Sequence, residues 1–532
     1  MKARVIRAAA AATALTFVLT ACGQKPGVHV DGSGLAAGQG GGAGGSLNAD
    51  PNSGGTPAAG AAAGGTATGG TTTGGSTATG GSTASGGTTG ATGGSSGGTT
   101  AGTSGGTTAS SSSGGSGGDT SSGDTGGGEQ QQQQQQGSAT PQGSDRTGVD
   151  DKSITFGLHA PVTGAAPLPT TSFEKSGDLY WRYLTEDQGQ SVLGRKEIKL
   201  IFRDDKYNPQ DARQVCRELA GKSFALAGGG GTDQIQTCGE LAAREGYPYF
   251  SAGVTEAGLA ENPWYFASSM TYRQQGLLLA NMVAKNPYGD PKIQKVLEGK
   301  AKIAAIVTDT ANFNDAVQGW EQGMQQFGIA KHSYDIYRHP KGDTSWYGTV
   351  AQDFQSAGVE VVYILSSPVD YIDFSQRAND SYGYNPRYIG VGVSMGLNAV
   401  LGSGCGGENV RADKGIFFSP FPGVDWAYQN VPEFEKAADK RGVPKDDIAF
   451  AIWGSNAVSH QLLLRYQQIY GNDLTREDFR AVVEQQTGVQ TGVYPELNYA
   501  PDNHFGAGQV HVLQADCSTK TYKTLGTFVS QF

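Results

Sequence analysis

No apolar stretch in these 532 residues is long enough to cross a bilayer as a helix. The longest, residues 8–19, is about a dozen residues against the roughly 20 required. Basic residues are in deficit, 39 Lys and Arg against 49 Asp and Glu, for a net charge of −10. With no basic stripe to neutralise phosphates, the composition argues against a nucleic-acid partner. The seven histidines are scattered and no Cys-x-x-Cys pair exists, so no zinc ligand set is in view and no metal is expected. A nucleotide loop at Gly221-Lys222-Ser223 would need a glycine five residues before Gly221, where Cys216 stands instead. No cofactor is implied.

The N-terminus carries a different kind of information. Lys2, Arg4 and Arg7 form a positive segment, followed by the apolar run and then Leu19-Thr20-Ala21-Cys22. The run is the right length for a secretory signal. The four residues at its end resemble the lipobox of bacterial lipoproteins. That resemblance implies that residues 1–22 are a signal, that Cys22 is diacylated, and that the chain sits lipid-anchored on the extracytoplasmic face of the cell membrane. Residues 23–150 are rich in Gly, Ser, Thr and Ala, with a Gln130–Gln136 run near the end. Such a composition buries too little apolar surface to offset its ordering entropy and is expected to be disordered. As a flexible coil it would span roughly 60 Å. Its threonines also suit O-glycosylation.

From Asp151 onward aromatic, aliphatic and charged residues mix as in a folded protein, and about 380 residues suit two lobes rather than one core. Apolar runs alternate with amphipathic ones. Strands are expected at 154–158, 197–203, 224–227, 247–250, 302–308, 333–337, 361–365 and 387–391. Helices are expected at 173–188, 209–220, 234–245, 272–285, 315–327, 349–357 and 371–379. This alternation implies an α/β fold with parallel sheets flanked by helices, and ligands beyond the carboxyl ends of the strands.

Several segments then fall into a familiar order: Ala160 to Gly164, Gly189 to Arg195, Ile198 to Asp205, Asn208-Pro209 and Ser251 to Thr255. Together they resemble the N-terminal lobe of type I periplasmic binding proteins, the solute-binding subunits of branched-chain amino acid and amide ABC importers. The resemblance implies two α/β lobes joined by three crossovers and closing on a small solute. Lobe one would take 151–271 and 424–500, and lobe two 272–423 and 501–532. The partners implied are a small polar solute and an ABC permease in the membrane.

Besides Cys22 there are four cysteines, which allow three pairings in an exported chain. The family often carries a bridge where Cys216 and Cys238 stand, which leaves Cys405 with Cys517, both in lobe two. The same template places solute contacts on strand-end loops and helix N-termini. In lobe one these are Thr163, Gly231, Thr232, Ser251, Gly253 and Thr255. In lobe two they are Asp309, Phe313 as an aromatic lid, Ser366, Tyr371 and Ser394. Amino-acid binders of this family place a carboxylate after the next strand to pair with an ammonium. Residues 392–396 offer none, which argues against a branched-chain amino acid.

Two alternatives remain. The fold also serves sensor modules. And Gly392-Val-Ser394-Met-Gly396 matches the nucleophile elbow of α/β-hydrolases, with Asp502 and His504 following in the required order. The lobe-one pattern, however, has no place in a hydrolase, and no chemistry on the solute is expected.

Overall fold

The chain is described by a computed structural model over residues 139–252, 259–392, 396–405 and 412–532. Cys22 and nearly all of the Gly/Ser/Thr tract lie outside the described residues. No described helix is long and apolar enough to cross a membrane.

The first sheet is entirely parallel. Strands β1 (Ser153–Ala160), β2 (Glu197–Asp204), β3 (Ala225–Gly228), β4 (Tyr249–Ser251) and β5 (Tyr265–Ala267) lie in the order β2-β1-β3-β4-β5. Parallel pairing requires a crossover between strands, and helices fill them: α1 (Thr170–Ser176), α2 (Leu179–Arg182), α3 (Pro209–Ala220) and α4 (Thr232–Glu245). Asn208 fixes the start of α3, its side chain accepting from the Gln210 and Asp211 N–H groups, with Pro209 in the first turn. The single helix expected over 173–188 is instead broken. It stops at Gly177, restarts as α2 and ends in a π-turn over Tyr183–Asp187. Gly177 keeps helical angles and the departure is at Asp178; a Cβ on Gly177 would stand 2.6 Å from the Leu200 side chain of β2.

The second sheet is larger and mixed. Helices α5 (Tyr272–Lys285), α6 (Pro291–Leu297), α7 (Ala311–Gln326), α8 (Tyr347–Ala357), α9 (Pro368–Tyr382) and α10 (Asn398–Gly404) accompany β6 (Lys302–Thr308), β7 (Ser333–His339), β8 (Val359–Leu365), β9 (Arg387–Gly390) and β10 (Ile416–Ser419). The chain then runs through α11 (Val424–Asn430), α12 (Pro432–Arg441), α13 (Asp447–Tyr470) and α14 (Arg476–Val483) before β11 (Val510–Asp516) and β12 (Thr521–Val529). The order is β12-β11-β10-β9-β8-β6-β7, parallel except that β11 runs against both β10 and β12. Helices α12 to α14 pack back on the first sheet's side. Trp453 meets Tyr180 edge-on at 5.1 Å, and Phe479 meets Phe224 at 5.1 Å.

The chain therefore passes between the sheets three times, after β5, after β10 and before β11. The first and third passages are bonded to each other. Ala267 N–H donates to His504 O at 2.8 Å and Gly506 N–H to Ala267 O at 2.9 Å. Two disulfides are present, Cys216–Cys238 joining α3 to α4 and Cys405–Cys517 within the second lobe. Neither bridge ties one sheet's helices to the other's.

The segment ahead of β1 is held on lobe one. Arg476, buried at 4 % exposure, donates to the carbonyls of Ala220 (2.6 Å) and Phe224 (3.0 Å) and to the Asp145 carboxylate (2.9 Å). A buried guanidinium is tolerated because all its sides meet acceptors.

Asp447 joins the return helices to the second lobe, its carboxylate accepting from Asn398 N–H at 2.6 Å. Burial, and then the Asp446 charge, push its carboxyl up from 3.8 to about 7 despite the backbone bonds that favour the anion. The folded state thus holds this proton more tightly than the unfolded chain does. Its contribution is complete below about pH 4 and fades as pH rises towards 7. Asp447→Asn, which cannot titrate, should lose less melting temperature than the wild type between about pH 5 and pH 7.5. Parallel melting curves for the two proteins would contradict this.

Candidate functional site

In parallel sheets the helix after each strand begins at the strand's carboxyl end, so loops, helix N-termini and polar side chains collect there. Here the two sets of carboxyl ends meet. On the first lobe α4 opens at Gly231, which has φ +78° and no side-chain cap. The glycine run before it is required by packing. A Cβ on Gly228 would strike the Tyr249 hydroxyl at 2.2 Å, and one on Gly229 would strike Phe173 at 2.6 Å.

On the second lobe α7 opens at Thr310, also without a side-chain cap, and the Thr310 hydroxyl is buried without a partner. The two helix starts touch. Asn312 donates to the Asp233 carboxylate at 3.1 Å, and the Lys341 ammonium, two residues past β7, pairs with the other Asp233 oxygen. Thr232 bonds the hydroxyl of Tyr272, which burial pushes up to about 12. Tyr207, in the loop after β2, lies under Lys341 with the ammonium 5.2 Å from its ring centroid. Burial raises its hydroxyl, and the charges of Asp233 and Asp370 raise it further.

Beneath each rim lies a buried polar network. In lobe one His159 Nδ1 meets Asp205 at 2.7 Å and its Nε2 meets the Tyr249 hydroxyl at 2.7 Å, with His159 and Asp205 fully buried. An ionised Asp205 places the proton on Nδ1, so Nε2 accepts from Tyr249. The second Asp205 oxygen accepts the Tyr207 N–H at 3.0 Å. Tyr207 and Lys206 both hold positive φ (56° and 54°), a conformation unfavourable for side-chain-bearing residues.

In lobe two Asp370 accepts from Tyr347 (2.7 Å), Ser366 (2.6 Å) and Ser367 (2.7 Å). Ser366 also meets Thr308 at 2.6 Å and His339 Nε2 at 3.2 Å. His339 Nδ1 faces the Pro340 carbonyl at 3.0 Å and, as a ring N–H, donates to it.

The residues expected at the site divide into several groups. Gly231 and Thr232 stand at the start of α4, past the carboxyl end of β3. Phe313 packs edge-on against Tyr272 at 5.8 Å, as part of lobe two's wall and not as a free lid. Thr163 has its hydroxyl on the Asp204 carboxylate and is exposed. Ser251 is buried and bonded to Tyr265. Ser366 belongs to the buried network below the rim. Asp309 points outward, 67 % exposed, with Arg338 at 3.7 Å. Tyr371 is a correction: fully buried between Tyr388 and Phe417, it belongs to the lobe-two core because α9 turns that face inward. Gly253, Thr255 and Ser394 lie outside the described residues. His504, the candidate hydrolase base, is buried with Nδ1 on the Asn262 carbonyl at 2.7 Å, while Asp502 is exposed.

Tyr207, Asp233, Asn312 and Lys341, which the sequence did not single out, also stand where the two lobes touch. Tyr207 and Asp233 carried a usable signal, since each follows a strand end and borders a helix start. Lys341 carried none.

With this geometry the comparisons are consistent. A family profile described as "Periplasmic binding protein" matches residues 153–521. The chain belongs to that family and has the two-lobed type I fold. A fatty acid ABC transporter substrate-binding protein from Thermomonospora curvata is similar over 73 % of this chain and 95 % of its own, with TM-score 0.56 and 15 % identity. A solute-binding protein of an ABC transporter from Rhodopseudomonas palustris BisB5, in complex with 3,4-dihydroxybenzoic acid, covers 72 % of this chain and 99 % of its own (TM-score 0.54, 16 % identity). A branched-chain amino acid ABC transporter protein from Thermus thermophilus with bound valine covers 72 % and 98 % (TM-score 0.54, 14 % identity). At these identities the likeness is one of fold. Comparison with curated proteins finds no match.

The lobe-two network makes one direct prediction. Ser366→Ala removes a hydroxyl donor from buried Asp370 and the oxygen that faces the Thr308 hydroxyl. It should cost about 2 kcal/mol of unfolding free energy by urea titration. A loss within error of zero would mean that water fills the gap.

Proposed function

We propose that this chain is the solute-binding lipoprotein of an ABC importer, capturing a small polar solute, amino acid or amide-like, between its two lobes. One observation carries the reading: two uncapped helix N-termini, α4 and α7, meet across the gap between the sheets, joined by Asn312 and Asp233. The positive dipole ends of such helices suit a carboxylate. The ligands in the names of the three similar structures, a fatty acid, a dihydroxybenzoic acid and valine, all carry one. A solute touching both rims stabilises the closed arrangement by the contacts it adds there, which is all the mechanism requires. The lipid on Cys22 would keep the receptor beside its permease.

A thermal-shift panel of amino acids, amides, urea, short peptides and aromatic acids tests capture. At least one should raise the melting temperature in a saturable way, and a flat response across the panel would sink the reading. For the anchor, Cys22→Ser should move the protein from the membrane fraction to the medium. Unchanged membrane retention would mean that another element holds it.

A further inference from the structure

Residues 392–396 supply no carboxylate for a solute ammonium, and the two acidic side chains nearest that role are spoken for. Asp309 faces outward beside Arg338, and Asp370 already accepts three hydroxyls. Asp233 differs. It stands on the lobe-one rim, Asn312 orients one of its oxygens, and the other holds an ammonium, that of Lys341. The same ammonium lies over the Tyr207 ring. A carboxylate beside an aromatic face is a niche for a cation, joining charge-assisted hydrogen bonds to attraction by the ring quadrupole.

The ring is held there against its own preference. Tyr207 keeps a positive φ because Asp205, itself locked by His159, accepts its backbone N–H. The occupant, by contrast, comes from the opposite lobe on a flexible stem and is 38 % exposed. It would be well solvated on release.

We propose that Asp233 and the Tyr207 ring form the ammonium subsite of the cleft, and that Lys341 fills it as an internal stand-in until a solute bearing a primary amine displaces it. The inference rests on the proposed solute-binding function and narrows its class to amines. The exchange is isoelectric, one ammonium for another, so no unpaired charge is left in the niche. The freed Lys341 becomes available to the solute's anionic group. Because Lys341 competes for the niche, it lowers apparent affinity by the fraction of time it occupies it, and removing it should tighten amine binding roughly tenfold.

The test uses the full chain and n-butylammonium, which reproduces the lysine side chain. In Lys341→Ala, n-butylammonium should raise the melting temperature saturably, beyond potassium chloride or sodium butyrate at equal ionic strength. The effect should be weak in the wild type and absent from Lys341→Ala with Asp233→Asn. Lys341→Met, which keeps an apolar stem, should respond in the same direction and guards against a packing artefact. A response no larger than that of potassium chloride, or one undiminished by Asp233→Asn, overturns the proposal. If solutes from the panel bind while n-butylammonium does nothing, the niche fails and solute capture stands. If n-butylammonium binds but no solute does, the niche stands and the transport reading fails.

Discussion

At Ala267 the chain leaves the first sheet, and there its backbone is bonded to the strand that returns to the second. Ala267 N–H reaches His504 O, and Gly506 N–H reaches Ala267 O. Those two bonds register the first and third passages against each other. With both disulfides confined to their own side, the passages between sheets remain backbone segments without a covalent staple. Such segments can absorb a change of φ and ψ.

What the facing strand ends hold is governed by the cost of burying polar groups. Below each rim every carboxylate is fully supplied with donors: Asp205 by His159 and the Tyr207 N–H, Asp370 by Tyr347, Ser366 and Ser367. A buried network satisfied in this way fixes geometry, because any rearrangement leaves a group unpaired. Groups left adjustable lie on the rim itself, at the open starts of α4 and α7 and in the Asp233–Lys341 pair. Rigid floor and adjustable rim suit capture by contact. His339 is turned towards Ser366, but the Ser366 hydroxyl proton belongs to Asp370.

Much of the fold was legible because α/β alternation is a local pattern. The helices Pro209–Ala220 and Tyr272–Lys285 and the strand Lys302–Thr308 fall where composition and capping residues place them. The first long helix did not: it breaks at Asp178, next to a glycine that packs against Leu200 on a neighbouring strand. The site was legible in part. Gly231 and Thr232 stand at the start of α4 past a strand end, as their sequence position implies, whereas Tyr371 was misplaced because a tyrosine near a strand end reads the same whether its helix turns it inward or outward. Ser366 was near the mark in sequence yet lies one layer below the rim.

By itself the sequence determined the class of fold, since the alternation of apolar and amphipathic runs sets parallel sheets with helices between them, and family motifs at the right spacing set the type. It also determined that helices begin just past strand ends, and which residues start two of them, Pro209 and Tyr272, because capping is local. Only the tertiary structure decided which residues meet across the lobes. Asp233 and Lys341 are 108 positions apart in the chain, and no local rule joins them. Their pairing over Tyr207 follows from how two separate sheets are set face to face.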